Sequence, residues 1–116
     1  MNVEKNENEF FPTPEQLARF MVEVADRQFT PVSSKQPRVL EPSAGDGTTI
    51  AANLQKKGWS VTALEPYIEP KTEVTNWIKV RFEDFVPTDE FDLVVMNPPF
   101  TQALEHIKKG LECLRS

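Results

Sequence analysis

Arg38-Val39-Leu40-Glu41-Pro42-Ser43-Ala44-Gly45-Asp46-Gly47 is the stretch that decides the fold. Residues 38–41 read as a short buried strand, stopped by Pro42, which fixes φ and has no N–H to donate. Residues 43–47 then turn the chain into a helix over 48–57. Ile50, Ala51 and Leu54 form its inner face, and Gly58 closes it as the C′ residue. Strand, glycine turn and helix in this order present backbone N–H groups and a helix start to a ligand. Glycines there let a ligand approach the backbone closely. Glu41, at the strand's end, adds a carboxylate able to take an ammonium group.

Downstream, residues 59–64 form a second strand that ends in Glu65-Pro66. An acidic residue about 20 residues after a glycine loop is the ribose-hydroxyl signature of nucleoside sites. The crossover over 67–76 is short and interrupted by Pro70, so it reads as a stunted helix or an irregular loop. Residues 77–82 alternate as a third strand, with Glu83-Asp84-Phe85 at its carboxyl end, and 86–90 make a turn. Residues 91–96 are a fourth strand whose apolar run predicts burial on both faces. It delivers Asn97-Pro98-Pro99-Phe100, an amide, two stiffening prolines and an aromatic ring, suited to holding a flat ring and its exocyclic amine. Leu104, Ile107, Leu111 and Leu114 then mark an amphipathic helix.

Upstream, the polar residues 1–9 read as a flexible terminus before a core over 10–116. Thr13 is an N-cap, Pro14 fits the first helical position and Gln16 completes a capping box. Leu17, Phe20, Met21 and Val24 give the stripe of a helix ending near Arg27, and residues 30–37 form a loop.

At 116 residues the chain holds one domain at most. Its net charge of −5 argues against a basic face that grips phosphate backbone. One cysteine, Cys113, excludes an internal disulfide and the usual multi-cysteine metal sites, and fits a reducing cytoplasm. It reads as a small packed residue, and the lone His106 as a helix-surface residue. No apolar run approaches a membrane span, and no secretion signal opens the chain. Strands alternating with helices imply right-handed β-α-β units, hence an α/β fold with an open parallel sheet. Glu41 with its loop, Glu65, Asp84 and Asn97 all fall at strand carboxyl ends, the edge where such sheets bind ligands.

These motifs resemble the class I S-adenosylmethionine-dependent methyltransferases, and more narrowly the adenine-N6 DNA methyltransferases. Phe11-Pro12-Thr13-Pro14 is similar to that group's F-x-T-P element, whose threonine helps bind the methionine carboxylate. Glu41-Pro42-Ser43-Ala44-Gly45-Asp46-Gly47 resembles its E-P-x-x-G-x-G cofactor motif. Glu65 falls where the family binds the ribose hydroxyls, and Asp84-Phe85 resembles the pair that contacts the cofactor's adenine. Asn97-Pro98-Pro99-Phe100 matches the [DNS]-P-P-[YFW] catalytic motif. The resemblance implies a Rossmann-like sheet in the order 3-2-1-4, S-adenosylmethionine as cofactor and DNA adenine as substrate, in the manner of a restriction-modification enzyme. In it, the Asn97 side-chain carbonyl and the Pro98 backbone carbonyl accept hydrogen bonds from the amine, while Phe100 stacks on a flipped base.

The family's sheet has seven strands, whereas this sequence supplies four and no target-recognition domain. Strand 91–96 would then be an exposed edge. Three readings follow: a fragment of a larger enzyme, a shortened cofactor-binding relative without turnover, or a chain whose edge a partner or second copy covers. N-P-P-[FY] also serves methylation of RNA bases and of protein glutamine, so those substrates stand as alternatives.

Overall fold

The computed structural model describes residues 13–28, 36–88, 90–98 and 100–115, the side chain of Phe100 excepted. The terminus expected at 1–9, most of the loop expected at 30–37, Phe11, Pro99 and the Phe100 ring lie outside the described residues. The elements are α1 (Glu15–Gln28), β1 (Arg38–Glu41), α2 (Ile50–Lys56), β2 (Ser60–Leu64), β3 (Asn76–Ile78), β4 (Leu93–Val94) and α3 (Ala103–Cys113). Single 3-10 turns at Phe82–Asp84 and Phe100–Gln102 join the last of them. All pairings are parallel and the strand order is β3-β2-β1-β4, the order 3-2-1-4 of a Rossmann-like sheet.

The two-residue period of a strand sends alternate side chains to opposite faces. Val39, Val61 and Val95 go to one face, where they pack with Ala18 and Val22 of α1, Ile50, Ala51 and Leu54 of α2, and Trp59. Leu40 and Leu64 go to the other, against Phe82, Phe91 and Cys113. The sheet is thus a wall between two cores. Each fully buried Val, Leu or Phe in them contributes about 1.5–3 kcal/mol. The inner face of α2 and the packed Cys113 match expectation, as does Gly58, which closes α2 at φ 81°. Residues 67–75 form no helix.

The other two helices bury different stripes from those expected. In α1, Ala18 and Val22 are buried with Met21 and Ala25 packed beside them, while Leu17, Phe20 and Val24 are exposed. Small residues let α1 lie close to its neighbours, and hydropathy alone underrates them. In α3, His106, Gly110 and Cys113 face inward, while Leu104, Ile107 and Leu111 are exposed. Gly110 is what permits this: a Cβ there would sit 2.7 Å from Met96 Cε and 3.4 Å from Val94 Cγ1. His106 is therefore no surface residue. It is 4% exposed, its ring meets Phe82 edge-on at 5.1 Å, and its Nε2 lies 3.3 Å from Glu83 Oε2.

Two strands are also shorter than expected. The third stops at Ile78, where the Val80 N–H turns back to the Ile78 carbonyl, and the 3-10 turn points Phe82 into the second core. The fourth pairs with β1 only at Leu93 and Val94, and both are half-buried because β4 is the last strand in the sheet order. Its start is not bare, however. Phe91 makes a parallel bridge with Leu114: the Phe91 N–H donates to the Cys113 carbonyl at 3.2 Å and the Arg115 N–H to the Phe91 carbonyl at 2.8 Å. At the same amino edge, Arg38 pairs with Glu90 at 3.1 Å and Arg115 with Asp92 at 2.9 Å. The opposite, carboxyl edge carries Glu41 with its loop, Glu65 and Asn97.

Candidate active site

The glycine loop holds its shape by its own hydrogen bonds. The Ala44 N–H donates to the Leu64 carbonyl, and Gly47 N–H to the Ala44 carbonyl, both at 3.0 Å. The Gly45 N–H donates to Glu65 Oε1 at 2.9 Å, and the Ser43 N–H reaches Glu41 Oε2 at 3.4 Å. Asp46 Oδ1 accepts from the Thr48 N–H and hydroxyl at 3.0 and 2.6 Å, and the hydroxyl holds its carboxyl below the usual range. Residues 48–49 are consequently a turn, and α2 begins at Ile50 rather than Thr48. Gly45 and Gly47 take φ of 62° and 82°, a conformation that L side chains resist.

The expectation that this loop offers its N–H groups to a ligand is therefore corrected: those of Ser43, Ala44, Gly45, Gly47 and Thr48 are engaged inside the fold. What the edge offers instead is carboxylate. Glu41 is fully buried beneath Pro42, itself buried, and its Oε1 has no partner among the described residues. Burial pushes its carboxyl up to about 8, with the neighbouring Glu65 adding to the rise against the Ser43 N–H. A buried polar oxygen without a partner is costly, and Oε1 is where a ligand's hydrogen-bonding group would be accommodated. Glu65, 7% exposed, also accepts from the N–H groups of Tyr67 and Ile68 at 2.9 and 3.1 Å. These bonds fix its position and fill Oε2, while Oε1, which among the described residues accepts only from Gly45, keeps lone-pair capacity for a hydroxyl. Two acids with the loop's N–H groups engaged suit a cationic, hydroxyl-bearing ligand and not a pyrophosphate. The amino-acid and ribose parts of S-adenosylmethionine have that chemistry.

Thr13 and Asn97 meet across 84 positions of sequence, with Asn97 Nδ2 donating to Thr13 Oγ1 at 3.1 Å. Thr13 is 7% exposed and Asn97 is exposed. Pro98 follows, half-buried. Asp84 and Phe85 leave the sheet beyond β3 on the 3-10 turn: Asp84 is exposed and accepts from Arg81 Nε at 3.0 Å, and Phe85 packs on the second core. Thus the structure joins Glu41 to Glu65 and the loop, and Thr13 to Asn97. No hydrogen bond ties Asp84 to either group among the described residues.

Trp77 was legible in the sequence as a strand residue but not as a neighbour of the glycine loop. It pairs with Ala63 in register, and its ring covers Gly47: a Cβ there would lie 3.0 Å from Trp77 Cζ3 and 3.1 Å from Thr72 Cγ2. The period-2 alternation of β3, which puts Trp77 on the face of α2, was the signal available. Among the described residues no cluster of His, Cys, Asp or Glu is able to hold a metal ion, and no helix is long and apolar enough to cross a membrane.

Comparison with known proteins points the same way. A family model described as a methyltransferase domain matches residues 13–116. The Type II methyltransferase M.TthHB8I of Thermus thermophilus is 32% identical over 107 residues, which cover 89% of this chain and 24% of the relative. The chain thus spans about a quarter of the length of the curated relative it matches. No solved structure matches the chain.

Proposed function

We propose that this chain, which belongs to the methyltransferase-domain family, is the cofactor-binding and catalytic core of an S-adenosylmethionine-dependent enzyme that methylates the N6 amine of adenine in DNA. The observation that carries the reading is the Asn97 amide, set at the carboxyl edge after β4, exposed, and held by its nitrogen to Thr13. The relative's name, a Type II methyltransferase, supports the restriction-modification setting.

S-adenosylmethionine, when bound, supplies an electrophilic methyl group on a positively charged sulfur. Glu41 would take its ammonium group, which gives the orphaned Oε1 a donor. Glu65 would take the ribose hydroxyls and Phe11 and Thr13 would flank the carboxylate end. Pro42, Ser43, Ala44, Gly45 and Gly47 would form a wall against it, and Asp84 and Phe85 would contact its adenine. On the substrate side, an aromatic amine is a poor nucleophile because its lone pair is delocalised into the ring. Hydrogen bonds from that amine to Asn97 Oδ1 and the Pro98 carbonyl favour a pyramidal nitrogen and return the lone pair. The resemblance assigns Pro99 to the same motif and gives Phe100 the role of stacking on the base. Positioning and electrostatics supply the rate, and no strong base is required.

Calorimetry with S-adenosylhomocysteine tests the cofactor half, and no binding at millimolar ligand sinks it. Methyl transfer from labelled cofactor to an adenine-containing oligonucleotide tests the rest. Asn97→Ala is expected to spare cofactor affinity and lower transfer by about 10²- to 10³-fold. Transfer to RNA or to a glutamine peptide instead of DNA would relocate the substrate while keeping the chemistry.

A further inference from the structure

We propose that Lys109 is a positioning residue for the cofactor's adenine: its ammonium, carried by α3, pins the peptide that leads into Asp84 and so sets where that carboxylate stands. This rests on the reading of Asp84 as an adenine contact. The observation is the 2.9 Å hydrogen bond that Lys109 Nζ donates to the Glu83 carbonyl. Its direction is fixed, since an ammonium only donates and a carbonyl only accepts. The same ammonium lies 5.4 Å from the centre of the Phe82 ring, which is 2% exposed. One turn earlier on α3, His106 Nε2 lies 3.3 Å from Glu83 Oε2, and its ring meets Phe82 edge-on. The helix is itself seated by the buried His106, Gly110 and Cys113.

The Glu83 carbonyl and the Asp84 N–H belong to one planar peptide unit. Its N–H end donates to the Arg81 carbonyl at 2.9 Å, and its carbonyl end accepts from Lys109. A plane held at both ends leaves little play in the Cα that carries the Asp84 side chain. The turn by itself is a weaker hold: it is three residues long, and its other backbone bond runs from the Phe85 N–H to the Phe82 carbonyl at 3.1 Å. Asp84 Oδ2 accepts from Arg81 Nε at 3.0 Å, and Oδ1 accepts from no described residue. An exocyclic amine offers protons, and Oδ1 has lone pairs to take one. Affinity for the amine then depends on how well Asp84 is placed before the ligand arrives. Lys109→Met keeps an unbranched stem and loses the donor.

The test is a double-mutant cycle of Lys109→Met and Asp84→Ala. It is read by calorimetry with S-adenosylhomocysteine and with the analogue that carries purine in place of adenine and so has no amine. Asp84→Ala is expected to weaken S-adenosylhomocysteine about tenfold, the cost of one hydrogen bond to a charged group. Lys109→Met should weaken it about threefold to fivefold, and by less than about twofold in the Asp84→Ala background, because it acts through Asp84. The purine analogue should bind the native chain and Lys109→Met within about twofold of each other. A Lys109 that merely supports the fold would weaken both ligands in both backgrounds, and that result overturns the inference. If Asp84→Ala weakens S-adenosylhomocysteine and Lys109→Met does not, the inference alone falls. If Asp84→Ala binds it as tightly as the native chain, the adenine contact proposed above is wrong and the inference falls with it.

Discussion

Glu41 is the residue where stability and function pull apart. Its carboxyl, at about 8 in the fold against 4.5 as a free side chain, keeps its proton at neutral pH while the unfolded chain does not. The folded state therefore binds the extra proton between those two values, and stability falls as pH rises through that window, by about 1.4 kcal/mol per unit at most. Below the window both states are protonated, and above it both are ionised. Glu41→Gln should flatten this dependence and raise the melting temperature at pH 8, as seen by thermal scans across pH 4 to 9. The same change should weaken S-adenosylhomocysteine, because an amide cannot balance an ammonium group. In the native chain the ligand's charge expels the Glu41 proton, so affinity should climb from pH 6 toward 8, and calorimetry in buffers of differing ionisation enthalpy should register proton release. At this scale the sequence singled out the candidate residues, because strand-end acids and N-P-P-F stand out. It did not show Glu65 on the Gly45 N–H or Asn97 on Thr13, because pairings across tens of residues are set by packing.

Elements were legible in number and order, since apolar runs and turn residues are local signals. Their buried faces were less so. In α1 and α3 the strongly apolar stripes are exposed, and the packed ones are Ala18 with Val22 and His106 with Gly110 and Cys113. Close approach selects small residues, which hydropathy underrates. Gly110→Val should therefore be destabilising despite the usual gain from removing a helical glycine. Its branches would enter the space of Met96 and Val94, at a cost of about 1–3 kcal/mol measurable by urea denaturation. Gly47 and Gly58 make a matched pair at the two ends of the α2 region, at φ 82° and 81°. An added Cβ at Gly58 meets nothing within 4 Å, whereas at Gly47 it meets Trp77 and Thr72. Alanine should cost about 1–2 kcal/mol at Gly58 for the left-handed backbone alone, and clearly more at Gly47. Equal losses would show that Trp77 yields without penalty.

For the whole molecule, alternating strands and helices gave a parallel sheet, the family resemblance gave its order 3-2-1-4, and the structure has both. The resemblance placed a bare edge at β4, but the Phe91 and Leu114 bridge already begins a further parallel row there. A sequence gives no register for so short a pairing. The exposed Leu104, Ile107 and Leu111 lie on one stripe of α3. Replacing all three with lysine should leave the melting temperature nearly unchanged, since exposed positions contribute within about 0.5 kcal/mol each. Light scattering against concentration should then show weaker self-association than in the native chain.

The self-bonded glycine loop has a kinetic consequence. A cradle with the amides of Ser43, Ala44, Gly45, Gly47 and Thr48 bonded within the fold holds its form before any ligand comes, so capture needs no slow rearrangement of the loop. Stopped-flow mixing with S-adenosylhomocysteine should give one exponential whose rate rises linearly with ligand concentration, without the plateau that a gated loop imposes.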